Sequence, residues 1–423
     1  MASDVTGQRI SENAEQYIPN AARHGSALCM SGGGYRAALF HLGVCRRLNE
    51  VGTLRELDAI SSVSGGSIFA AHLATAIIRH GADVYDHYES LVATPFRAFV
   101  KNDIRTAPSL ARLAPWEWAN AGAGAEALVE QYATHLLGGE PLTVADLPDR
   151  PRFIFCATDL VFGVNWVFSK DRVGSYRAGH LVEAARKQQL IAKAVAASSC
   201  FPPVFRPLPL RLTPADFAPS DYPVEPDHDS KIAALVLSDG GVYDNMGLEP
   251  VWKSCANVIV SDGGKPFSFS KDGGSFAELY RIHDVMANQA EAMRRRWLIA
   301  SYVRQDYGGA YLGINNAVTD YPLNSGIGYS KSLATSSIAT IRTDMDCFGD
   351  EEIAVLENHG YTLADAACRS HLAGDLLVAP PPLLPLANGW WPGPARLAAA
   401  QEEKIAAELA DSSHVRILGH RFS

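Results

Sequence analysis

Two turns in the first seventy residues limit the folds open to this chain more than any other feature. "SALCMSGGGYRAALFHLGVCRRLNEVG", Ser26 to Gly52, holds an apolar run, three glycines, then Ala38, Leu42, Cys45 and Leu48 at intervals of three and four. That order reads as a strand, a tight turn and an amphipathic helix stopped at Gly52. "LDAISSVSGGSIFAAHLATAIIRHG" repeats the plan, with a strand over Ala59 to Val63, a sharp turn at Ser64-Gly65-Gly66 and a helix to about Gly81. This second helix is apolar nearly all round and is expected to be buried. Two such units in succession imply a parallel sheet with right-handed crossovers. In such a sheet, ligands bind beyond the carboxyl ends of the strands.

The rest of the chain fits that frame. Residues from about 82 to 150 read as a helical, irregular insertion or lid, with Trp116 and Trp118 in it. "RFIFCATDLVFGVNWVFS" resumes strand character, and "LIAKAVAASSCFPPVF" is a helix ended by Pro202-Pro203. "ALVLSDGGVYDNMG" and "NVIVSDGG" are apolar runs that each end in Asp-Gly-Gly, which puts Asp239 and Asp262 at strand ends. Helices are expected from about Phe276 to Val303, from about Asp350 to Leu372 and near Ala395 to Leu409. The proline-rich "APPPLLPLANGWWPGP" before the last of these reads as extended. No internal repeat is present. The expected fold is α/β, a mostly parallel central sheet flanked by helices, with a helical insertion and a helical C-terminal region. The expected division is an extension over 1–24, a main domain over 25–378 with the insertion at about 82–150, and a tail over 379–423.

Composition narrows the function. Of 423 residues, 47% are hydrophobic and 20% charged, which supports a sizeable core in two or three domains or in one large α/β domain. A formal net charge of −9 argues against general nucleic-acid binding, which needs a basic face. It leaves room for a local basic patch on a membrane. The seven cysteines are scattered and form no CxxC pair, so neither a zinc site nor a disulfide framework is expected. They read as small buried hydrophobes in a reducing compartment. The polar N-terminus has no signal-peptide core, and no window approaches 18 uncharged apolar residues. A cytoplasmic location is the expectation.

The glycine loop has three readings. "GGGYRA" satisfies the dinucleotide pattern G-x-G-x-x-A at Gly32, Gly34 and Ala37. That pattern also needs an acidic residue at the end of the next strand, and Asp58 instead precedes it. A second reading is a tight turn with no chemistry. The third takes both turns together. "SVSGGS" departs from G-x-S-x-G only at Ser62, and in that geometry Ser64 sits on a strained turn with its hydroxyl exposed above the sheet. Gly32, Gly33 and Gly34 then offer backbone N–H groups to a tetrahedral oxyanion, and Arg36 adds charge or orients the loop.

A serine nucleophile needs a proton acceptor. The histidines after position 240 are His283, His359, His371, His414 and His420, and none ends a strand. His283 lies inside a helix, and His359 stands at a helix end before Gly360. Asp239 ends an apolar run and is followed by two glycines, so its carboxylate is the better candidate base, with Asp262 as the rival.

Four blocks in order over about residues 25 to 265 resemble the patatin-like phospholipases, lipid acyl hydrolases with a Ser-Asp dyad. They are "SGGGYRA", "SVSGGS", "AASSCFPPVFRPL" and "LSDGGVYDNMG". "SIATIRTDMDCFGDEEIAVLENHGYTLAD" is similar to bacterial members. The resemblance implies a three-layer α/β/α fold, Ser64 as nucleophile, Asp239 as base, and Gly32, Gly33, Gly34 and Arg36 as the oxyanion region. It implies no metal or other cofactor. The implied substrate is a phospholipid or other lipid ester, met at a transient membrane surface by a protein peripheral to it. Ser62 in place of the usual glycine is the one departure. Some members serve as membrane-degrading effectors in bacterial anti-phage signalling, silent until a nucleotide or partner binds. That is one alternative, and a dinucleotide-binding oxidoreductase is the other. "RRRW" at Arg294 to Trp297, and Trp390 with Trp391, are candidate interfacial anchors. The blander readings, a solvated face for the first and a tail packed on the body for the second, outweigh that one.

Overall fold

The computed structural model describes residues 23–106, 108, 123–202, 204–219, 225–266, 275–372, 380–386, 389–392, 399–414, 416–417 and 420–421. Trp116, Trp118, Pro203 and nearly all of the N-terminal extension lie outside them.

One mixed sheet organises these residues. Its strands are β1 (Ser26–Met30), β2 (Ala59–Val63), β3 (Arg152–Asp159), β4 (Val164–Phe168), β5 (Val173–Ser175), β6 (Gly179–His180), β7 (Leu208–Pro209), β8 (Val236–Asp239), β9 (Asn257–Asp262) and β10 (Gly308–Gly313). Their order is β10-β9-β1-β2-β3-β4-β5-β6, with β8 pairing β3 and β7. From β10 across to β3 all pairings are parallel. From β3 outward they are antiparallel.

Helices cover both faces, which is why the parallel strands read as unbroken apolar runs. Alternation along β1 divides the two cores: Leu28 and Met30 pack into one, Ala27 and Cys29 into the other. The first core is closed by α1 (Gly34–Glu50), α2 (Gly65–His80), α3 (Ile191–Ser199) and, later in the chain, by α5 (Asp350–His371). The second is closed by Met246, Leu248 and Val251 and by Leu298 of α4 (Ser275–Val303). The result is the three-layer α/β/α arrangement.

The helix expected from about Asp350 to Leu372 is α5, which runs through Gly360 to His371, so His359 does not stand at a helix end. A Cβ on Gly360 would lie 2.1 Å from the Phe40 carbonyl, and one on Gly43 would lie 2.0 Å from the Glu357 carbonyl. The two glycines therefore let α1 and α5 cross backbone to backbone. Beside the crossing, His359 Nε2 meets the Ile314 carbonyl at 2.7 Å, and burial lowers its pKa to about 4. Charged pairs fasten the same helices. Glu357, fully buried, accepts Arg46 Nε at 3.2 Å and Arg97 Nε at 2.7 Å, and Asp365 accepts Arg47 Nη2 at 2.6 Å.

Six of the seven cysteines are buried and all are free; Cys347 is exposed. Trp390 and Trp391 are half-buried against the body. The Trp391 ring lies 6.0 Å from that of Tyr361, and the Tyr329 hydroxyl donates to the Trp390 carbonyl at 2.5 Å. Trp297 packs edge-on between Trp252 and Tyr307. Among the described residues, no helix is long and apolar enough to cross a membrane.

Candidate active site

Strand β3 is the ruler on which the site is built. Along one edge its first half pairs with β2 in parallel, ending at Val63 opposite Cys156. Along the same edge its second half pairs with β8 in antiparallel, ending at Asp239 opposite Ala157. Cys156 and Ala157 are neighbours, so β2 and β8 run head-on and their carboxyl ends meet. The residue after β2 is Ser64, and the last residue of β8 is Asp239. Both line one cavity, and the Ser64 hydroxyl is among the groups that act on the Asp239 carboxyl.

The turn residues follow from crowding at this junction. Ser64 has φ 50° and ψ −117°, a conformation L residues rarely adopt and one met at functional turns. A Cβ on Gly65 would lie 2.1 Å from Gly34 O, and one on Gly66 2.3 Å from Met30 O. Gly240 faces the same limit, 2.4 Å from Cys156 O. A chain of hydroxyls holds the elbow from behind. The Ser64 N–H donates to Ser198 Oγ at 2.9 Å, and Ser198 Oγ donates to Cys156 O at 2.6 Å. Ser67 Oγ lies 2.8 Å from Ser198 Oγ and 3.0 Å from Ser62 Oγ. Ser62 thus fits where glycine was expected, because its hydroxyl joins this chain and reaches the Ile154 carbonyl at 3.3 Å.

Asp239 is 3% exposed, and that burial pushes its carboxyl from 3.8 up to about 7, against the opposing pull of the Gly241 N–H and the Ser64 hydroxyl. The Gly241 N–H donates to Asp239 Oδ1 at 2.7 Å and fixes that oxygen. Asp262 is placed elsewhere. It ends β9, beyond β1, and accepts from the Tyr311 hydroxyl at 2.6 Å and the Gly264 N–H at 3.0 Å. Of the late histidines, His371 stacks on Tyr321 and His359 is held at the α1–α5 crossing. The side chains of His283 and His420 are not among those described.

The four residues expected around an oxyanion are together but not equivalent. The Gly32 N–H donates to Asn245 O at 3.1 Å and so is already engaged. The N–H groups of Gly33 and Gly34, and of Gly65 after the serine, have no partner among the described residues. Gly33 has φ 141° and Gly34 φ 58°, backbone that glycine permits. Arg36 lies fully buried beneath the loop. Its Nε and Nη2 donate to Gly263 O at 3.1 and 2.9 Å, and its Nη1 to Ile341 O at 2.8 Å. The guanidinium therefore fixes backbone instead of facing the cavity. The Tyr35 N–H, which a pyrophosphate at this helix start would require, donates to Asp344 O at 2.9 Å.

A cavity of about 270 Å³ opens over Ser64 and Asp239. Phe201, Val204, Phe205, Val242 and Met345 give it apolar walls. Ala287, Ala290, Glu291 and Arg294 of α4 close another side. Sequence reasoning named Arg294 only as an interfacial anchor and missed the other three, although a spacing of three, one and three places all four on one helix face. Burial, and then Asp262, raise the Glu291 pKa. Asn245 and Asp244 were missed as well. Asp244 accepts the Met246 and Glu249 N–H groups at 3.1 and 2.8 Å, which shapes the turn after β8. Among the described residues no cluster of His, Cys, Asp and Glu could hold a metal ion.

A model of the patatin-like phospholipases matches residues 28–252, from β1 through the turn after β8. The chain belongs to that family. Among solved structures, this patatin-like chain is similar to human GIVD cytosolic phospholipase A2, at 13% identity and a TM-score of 0.49, over 84% of this chain and 59% of that one. VipD from Legionella pneumophila matches at 16% identity and a TM-score of 0.27, over 54% of this chain and 47% of that one. The chain thus spans about three fifths of the length of the first. No curated protein matches it.

Proposed function

We propose that this family member is a serine lipid acyl hydrolase that cleaves carboxylic esters of phospholipids through Ser64 and Asp239. The meeting of these two side chains at the head-on strand ends, inside an apolar cavity, carries the reading. Asp239 takes the proton as Ser64 Oγ attacks the acyl carbonyl. The N–H groups of Gly33 and Gly34, with that of Gly65, stabilise the oxyanion; Gly32 and Arg36 hold the loop in shape. Asp239 then protonates the leaving alkoxide, and water activated by the same carboxylate releases the fatty acid. A carboxyl near 7 suits both roles, because it accepts and returns a proton at neutral pH. The apolar walls suit an acyl chain, and Lys265 and Arg294 at the rim suit a phosphodiester.

The test is fatty-acid release from mixed phospholipid vesicles by the wild type, Ser64→Ala and Asp239→Asn, with calcium chelated. Both variants should lose activity by at least a thousandfold, and a fluorophosphonate should label wild type but not Ser64→Ala. Activity surviving Ser64→Ala overturns the assignment.

A further inference from the structure

A second cavity, of about 420 Å³, lies where the antiparallel end of the sheet runs out from under its cover. On this face Cys156, Val167, Gly174 and His180 form one row across β3 to β6. Cys156 and Val167 belong to the second core, under Met246 to Cys255. Beyond Val167 the cover ends, and the wall becomes polar.

Nine buried side-chain atoms lack a hydrogen-bond partner among the described residues, and three of them belong to residues that line this one cavity. They are Asn165 Oδ1, Arg172 Nε and His180 Nδ1. Such atoms are costly unless something meets them. Arg152 and Lys253 stand in the same wall, with Glu249 as the one acidic side chain there. Arg152 is paired with Asp171 at 3.2 Å, and among the described residues Arg172 makes no ion pair within 4 Å. Burial lowers the pKa of Arg172 against the opposing charge of Asp171, and burial followed by the charge of Arg172 lowers that of His180.

We propose that this cavity is a binding site for a phosphate-bearing ligand. Phosphate oxygens accept from the Arg172 guanidinium, from Lys253 and from a ring N–H of neutral His180. A phosphate hydroxyl donates to Asn165 Oδ1, which a carboxylate cannot do. The cavity adjoins a groove of about 700 Å³, with Tyr176, Tyr243, Glu249 and Lys253 in the walls of both. Tyr243 also lines the cavity over Ser64. The inference does not depend on what Ser64 does.

The probe is inorganic phosphate, titrated calorimetrically into the full chain at pH 6.5. Saturable binding is expected, weakened at least tenfold in Arg172→Gln and severalfold in Lys253→Ala. Lys253 is half-exposed, so that variant keeps the test valid if Arg172→Gln does not fold. If wild type fails to bind at 10 mM phosphate, or if both variants bind as wild type does, the site does not exist. Co-sedimentation with phosphatidic acid vesicles, but not phosphatidylcholine vesicles, and its loss in Lys253→Ala, assigns the phosphate to a lipid head group. Phosphate binding without vesicle binding assigns it to a soluble ligand.

Discussion

Replacing Asp239 by asparagine should inactivate the protein and stabilise it at the same time. The wild-type carboxyl is held at about 7 when folded, against 3.8 for the ordinary group. Each pH unit of difference is worth about 1.4 kcal/mol, so ionised Asp239 destabilises the native state by about 4 kcal/mol at pH 8. A carboxyl raised on folding contributes its full stability only below about 3.8 and loses it as pH climbs through about 7. Asparagine carries no charge to desolvate. Its carbonyl can accept the Gly241 N–H, and its amide can face the Ser64 hydroxyl. Urea unfolding at pH 8 should show Asp239→Asn more stable by about 4 kcal/mol, and at pH 4 by less than about 1 kcal/mol. Hydrolysis of a soluble ester should be lost at both. A variant no more stable than wild type at pH 8, or an advantage that persists at pH 4, refutes the account of Asp239 as a desolvated base.

The same carboxyl predicts an acid limb in wild-type kcat/KM near pH 7, with only about 1% of Asp239 ionised at pH 5; a limb near pH 4 would contradict it. Gly360→Ala should drive α5 off α1, lowering stability by about 1–3 kcal/mol in urea melts without moving the pH profile. Arg36→Met strands the carbonyls of Gly263 and Ile341. It should cost about 3 kcal/mol and lower kcat more than it raises KM, since the loop loses its shape and not its substrate contacts.

The parts of the site that were legible in the sequence are local. A glycine-rich turn after an apolar run announces itself, so the loop at Gly32–Gly34, the elbow at Ser64 and the strand end at Asp239 could each be read in place. What joins them could not. Nothing near Ser64 says that β8 will return along β3 from the other direction, because that register is set by pairing between residues far apart in sequence. Arg36 illustrates the same limit. Its place beside the loop was visible, but the carbonyls that take up its guanidinium belong to residues 263 and 341. His359 was placed at a helix end because a glycine that breaks a helix and one that lets two helices cross closely look alike until the partner helix is known. The serines at 62, 67 and 198 look like ordinary turn and helix residues, and only contact between three elements makes them one support.

The head-on junction also sets an order in time. During synthesis Ser64 and its glycine loop emerge early, and Asp239 much later. A nascent or truncated chain that lacks β8 has the serine but nothing to take its proton. If Ser64 and Asp239 act as proposed, the topology works as a safety catch: a protein that attacks membrane lipids stays unarmed until the strand that completes its own fold has arrived. Misfolded copies, in which β8 fails to dock on β3, are disarmed by the same failure.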